Sequence, residues 1–132
     1  MTSISLVQPR PVSLRNVMYW TTTALLAMAF LSGGIRHLMQ APDVVAGISA
    51  LGYPLYFILL LGVWKLLGGI AILAPGLPRL KEWAYAGMFF DLTGAAVSHL
   101  AMRSPPWHVL VTLTLAGMVL VSWWLRPKGR RL

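Results

Sequence analysis

Apolar residues gather along this chain in four long runs, separated by short breaks rich in Pro, Gly and charge. The first run, residues 17–35, carries no charge from Met18-Tyr19-Trp20 to Gly33-Gly34-Ile35. At about 1.5 Å per residue it makes about 28 Å of helix, enough to cross a hydrocarbon core of about 30 Å with Arg36 and His37 at its edge. The predicted first helix covers residues 17–38. The second, residues 51–74, has Lys65 as its only charge and Pro54 in its first turn, and is long enough that it must tilt or begin outside the hydrocarbon. Pro75-Gly76-Leu77-Pro78 ends it, and Arg79-Leu80-Lys81-Glu82 completes a short connection. The third helix is expected over residues 83–102, interrupted by Asp91, and the fourth over residues 107–125 after Ser104-Pro105-Pro106. Residues 1–16, with Pro9 and Pro11, and residues 126–132 read as short tails. Connections this short cannot cross back, so the pattern predicts a single all-α domain, an integral membrane four-helix up-down bundle. Tyr19, Trp20, Tyr53, Tyr56, Trp83, Tyr85, Trp107, Trp123 and Trp124 fall where water–lipid boundaries are expected; Trp64 alone sits at mid-helix.

Composition excludes the water-soluble alternative. Hydrophobic residues make up 58% of the 132 positions, charged residues 11%, and the mean hydropathy is +0.72, leaving too few polar groups to cover a globule. Without cysteine there is no disulfide, thiolate nucleophile or cysteine-ligated iron–sulfur cluster. A net charge of +8 invites a nucleic-acid reading, but the basic residues sit at the ends of an apolar body, where anionic lipid headgroups attract them. In the up-down topology Arg10, Arg15, Arg79, Lys81, Arg126, Lys128, Arg130 and Arg131 share one side, whereas only Arg36 and Arg103 lie on the other. That asymmetry places both termini in the cytoplasm of a bacterial-type inner membrane. The first run is long and followed by others of its kind, so it reads as a span rather than a signal peptide.

Two charges are left inside the membrane. Counting away from the shared connection, Lys65 and Asp91 lie about 13 and 12 Å deep, at matching levels of adjacent antiparallel helices. An isolated charge at that depth costs about 2.5 kcal/mol or more, so the spacing predicts a pair. The pair either locks the second and third helices together or lines a polar pocket for part of an apolar ligand. Small residues surround it at helical spacing: Gly62, Gly68 and Gly69 on one helix, and Ala84, Gly87, Gly94, Ala95 and Ser98 on the other. They permit close packing and leave room for a cavity where Gly68-Gly69 and Gly94-Ala95 remove volume.

A second polar cluster is expected at the outer end, where Arg36, His37, Tyr53, Tyr56, His99, Arg103 and His108 gather. Histidine exchanges protons near neutrality and arginine stabilises an adjacent anion, so this cluster suits the carbonyl or hydroxyl head of a lipid-like molecule. There is no His-x-x-x-His pair and Asp43 is the only acid on this side, so no metal site is assigned and haem is disfavoured.

Residues 53–100 carry a family resemblance. Tyr53-Pro54-Leu55-Tyr56-Phe57, Leu61-Gly62-Val63-Trp64-Lys65-Leu66-Leu67-Gly68-Gly69, Lys81-Glu82-Trp83-Ala84-Tyr85-Ala86-Gly87 and Phe90-Asp91-Leu92-Thr93-Gly94-Ala95 with Ser98-His99 resemble the DoxX-like family of small four-helix membrane proteins. The wider group is similar to, and named for, the small subunit of a thiosulfate:quinone oxidoreductase. The resemblance singles out Lys65, Gly69, Asp91, Gly94, Ser98 and His99. It implies a redox role through a bound quinone or a partner, since no redox ligand set is legible in this chain.

The expected function is to hold a quinone or lipid in a pocket within the bundle, as an accessory to a membrane redox system. The alternatives are a membrane-embedded enzyme of proton-transfer or isomerase type, and a purely structural packing subunit. Asp91, Lys65 and His99 are the candidate catalytic residues. Arg36, His37, Tyr53, Tyr56, Gly69, Gly94, Ser98 and Arg103 are the candidate ligand-binding residues. Expected partners are membrane lipids, a hydrophobic small molecule and a membrane protein or second copy of the chain, with no nucleic acid.

Overall fold

The computed structural model describes residues 7–132; residues 1–6 of the expected lead lie outside the described residues. It is all-helical, with α1 (Leu14–Leu38), α2 (Pro42–Ala50), α3 (Leu55–Leu73), α4 (Pro78–Ala101) and α5 (Pro106–Trp124), then a 3-10 turn at Lys128–Arg130. There are thus five α-helices among the described residues where the hydropathy pattern led us to expect four.

The added helix is α2, in the first connection. Pro42 starts it with its ring suited to the first helical position, and Asp43 complements the positive end of the helix dipole. At nine residues it is too short to register as a membrane-length apolar run; none of its residues is fully buried, Val44, Val45 and Ile48 being half-buried. Other boundaries move for equally local reasons. The Ser13 side chain accepts from the Asn16 amide at 3.2 Å, so α1 begins at Leu14. Pro54 is the N-cap of α3 and not part of its first turn. Pro78 opens α4 directly after a reversal in which Gly76 and Leu77 take left-handed backbone angles, φ +68° and +53°. Arg79, Lys81 and Glu82 therefore belong to the first turns of α4 and not to a loop.

Three helices, α1, α3 and α5, are long and apolar enough to cross a membrane. The 24-residue α4 carries Arg79, Lys81, Glu82 and Asp91, which lower its hydropathy below theirs. Large apolar side chains cover the outside of the molecule, among them Trp64, Leu67, Ile70, Phe90, Leu110 and Leu113. This arrangement belongs in lipid, and the protein is a small membrane protein with lipid-facing helices.

The core is shared by α1 (Leu26, Ala27, Phe30), α3 (Ile72), α4 (Tyr85, Met88, Leu92) and α5 (Ala116, Val119). The α1–α3 approach is the closest. A Cβ on Gly62 would lie 3.0 Å from His37 Cβ and 3.1 Å from the Gly34 carbonyl, and one on Gly69 would lie 2.8 Å from the Leu31 side chain. Without a lipid-excluding force between helices, this backbone proximity is a main source of attraction.

Remote contacts tie one end of the molecule together: Arg15 donates to the Trp124 carbonyl, Arg126 pairs with Glu82, Trp123 Nε1 donates to Glu82 at 2.9 Å, and Arg130 donates to the Ile72 and Leu73 carbonyls. Burial, with Arg131 beside it, pulls the Arg126 guanidinium below its ordinary pKa. Lys81 is fully buried and caps α3, donating to the carbonyls of Ala71 (3.0 Å), Ala74 and Gly76 (2.7 Å).

Candidate functional site

α3 and α4 run antiparallel from their shared turn, which brings Lys65 and Asp91 to one level. Lys65 Nζ lies 3.0 Å from Asp91 Oδ2, and the two side chains remain 18% and 21% exposed. The ammonium also lies 4.9 Å from the centre of the Phe30 ring of α1, whose face adds a cation–π attraction. The pair is therefore held from three helices yet reachable from the side.

His37 stands next to it. Gly33 approaches the Lys65 stem, and the Gly33 carbonyl accepts a 2.7 Å hydrogen bond from His37 Nδ1. Donation from Nδ1 leaves Nε2 as the acceptor of the neutral ring. Farther out along the α3–α4 seam, Tyr53 OH lies 2.7 Å from Ser98 Oγ. Ser98 donates to the Gly94 carbonyl at 2.9 Å, so Tyr53 donates to Ser98. Between the Asp91 and Ser98 levels, Gly94 faces open space, as does Gly87 one turn beyond Asp91 on the opposite side.

Several candidate residues face elsewhere. Gly69 is buried against Leu31 of α1, and Gly68 meets Met88, so their missing volume is taken up by helix packing. Arg36 is tied to Asp43 of α2. Tyr56 is 71% exposed in the first turn of α3. His99 turns toward α5, where it stacks on His108 with ring centres 4.7 Å apart, and His108 stacks on Trp107. Arg103 lies beyond the end of α4, beside His99 and Ser104. The three histidines thus divide between two places, His37 beside the ion pair and the stacked His99 and His108 at the α4–α5 turn.

One buried polar group escaped the sequence reasoning. Ser122 Oγ of α5 lies 2.7 Å from Thr23 Oγ1 of α1 and 2.8 Å from Tyr85 OH of α4, and all three residues are buried. Three polar residues within apolar runs were the available signal, but nothing in their spacing says that they meet. Their mutual hydrogen bonds satisfy groups that would otherwise be costly in a dry core.

The DoxX-like family model matches residues 21–122, a stretch that contains the ion pair, the seam and the hydroxyl cluster. The chain belongs to the DoxX-like family. No curated protein and no solved structure matches it.

Proposed function

We propose that this DoxX-like protein holds an apolar molecule with a polar head, such as a quinone or a lipid, against Lys65 and Asp91. In this reading α4 also crosses the membrane, as the third of four spans in an up-down bundle, its charged first turns lie at the membrane surface, and both termini are cytoplasmic in an inner membrane. The excess of basic residues at that end supports the orientation.

The observation that carries the proposal is the partial exposure of an ion pair at mid-helix beside the open side of Gly94. A pair serving only to lock two helices gains from complete enclosure, because the remaining exposure in lipid leaves hydrogen-bonding capacity unused. Lys65 has donors beyond the one facing Asp91, and these suit a carbonyl or hydroxyl oxygen. Phe30 backs the ammonium, while Trp64 and Phe90 offer apolar surface on α3 and α4. A role beside a membrane redox partner follows if the molecule is a quinone.

Gly94→Leu tests this reading because it fills the open side without touching the core. Organic extracts of purified wild type, Gly94→Leu and Lys65→Met are compared by mass spectrometry, normalised to protein, with melting temperature as the folding control. The expected result is a co-purifying apolar molecule in wild type that both variants lose. Equal content in all three overturns the proposal and leaves the helix lock as the role of the pair.

A further inference from the structure

We infer that the outer turn between α4 and α5 forms a second site, which holds the headgroup oxyanion of an anionic phospholipid. The argument starts from charge accounting. The chain has three acidic side chains, and each is engaged: Asp43 with Arg36, Glu82 with Arg126, and Asp91 with Lys65. Arg103 therefore has no side-chain carboxylate left to pair with. Its guanidinium, a planar two-pronged donor, is suited to phosphate oxygens supplied from outside.

The surroundings of Arg103 are shaped for such a group. With His99 and Ser104 it lines a depression of about 300 Å³ whose other walls are mainly apolar, including Leu100 and Leu110. Those two leucines are 64% and 66% exposed, so the apolar wall continues onto the lipid-facing surface of α4 and α5. On one side of the depression His99 stacks on His108, which in turn stacks on Trp107. His99 Nδ1 is buried and has no hydrogen-bond partner among the described residues. Pro106 also lines the depression and starts α5, whose first turn contains no acid to offset the positive end of the helix dipole. Arg103, Ser104 and the first residue of α5 thus line one depression, with apolar walls beside them that suit acyl chains. That combination selects a lipid phosphate over a free one. The site faces α5 and is separate from the α3–α4 seam, so it stands whether or not the Lys65–Asp91 proposal holds.

The test uses the full-length protein purified in a neutral detergent and titrated, in separate arms, with short-chain phosphatidylglycerol, phosphatidylcholine of the same chains, and inorganic phosphate. Binding is read by calorimetry and by the rise in melting temperature. Arg103 sits at φ +52°, a conformation that suits glycine, so Arg103→Gly removes the cation while relieving backbone strain; Arg103→Gln is a second variant that keeps the side-chain bulk. We expect phosphatidylglycerol to bind about tenfold more weakly to both variants, the equivalent of about 1.4 kcal/mol, while Lys128→Gln at the opposite end binds as wild type. Unchanged affinity in both Arg103 variants overturns the inference. So does phosphatidylcholine binding as well as phosphatidylglycerol, which would mean that net headgroup charge is not read. Inorganic phosphate binding as tightly as the lipid would identify a free-anion site and overturn the lipid assignment.

Discussion

Lys81→Met isolates the buried ammonium that closes the end of α3. The replacement retains an apolar stem of similar length and removes the donors to the Ala71, Ala74 and Gly76 carbonyls. Gly76 is exposed and Ala74 only half-buried, so water can replace the lysine there, whereas Ala71 lies in the buried core side of α3. Leaving one such carbonyl dry costs about 1–3 kcal/mol, and losing a cation at a helix C-terminus adds about 0.3–1 kcal/mol. Relief from burying the ammonium offsets part of this, so the net loss is expected at about 1–3 kcal/mol. Arg79→Met, two residues earlier on an exposed position of the same turn, provides the matched loss of one positive charge. Thermal melting in one neutral detergent, scored by loss of helical circular dichroism, compares the three proteins. Lys81→Met should melt clearly below wild type and Arg79→Met beside it. Coincident melting of Lys81→Met and wild type would refute the cap, because the three carbonyl contacts would then contribute nothing to stability.

Lys65→Met and Asp91→Asn should each destabilise the protein, and the double variant should recover part of the summed loss. The coupling expected from thermal melting is at least the roughly 0.6 kcal/mol typical of polar pairs in membranes, and strictly additive losses would mean that the 3.0 Å contact contributes nothing. Gly62→Ala should cost about 1–3 kcal/mol, since its Cβ meets both the His37 side chain and the Gly34 backbone, whereas Gly87→Ala, with open space around it, should melt no lower than wild type.

The matching level of Lys65 and Asp91 along their two helices was legible in the sequence. Depth along a helix depends only on residue count and a constant rise, so Lys65 and Asp91 could be matched by counting from the Pro75-Gly76 turn, and the 3.0 Å ion pair has the expected partners. Hydropathy likewise marked α1, α3 and α5 as membrane-crossing candidates, because it averages over a whole helix and tolerates local exceptions. It could not register α2, which is only nine residues long and has no fully buried residue, or the charged beginning of α4, where Pro78 and not the first aromatic residue sets the boundary.

Direction around each helix was decided only in three dimensions. Gly69 and Gly94 look equivalent as small residues near a charge, yet one is filled by Leu31 of α1 and the other faces open space. His99 and Ser98 are neighbours in sequence, but one turns to His108 on α5 and the other to Tyr53 beside α3. Lys81 counted simply as one more basic residue at the cytoplasmic boundary until the α3–α4 reversal placed three carbonyls around its ammonium. The physical reason is common to all three cases. A helix rotation of about 100° per residue makes facing a matter of which neighbour packs against it, and that choice is made jointly by side chains far apart in the chain, such as Thr23, Tyr85 and Ser122, whose hydroxyls meet in the core.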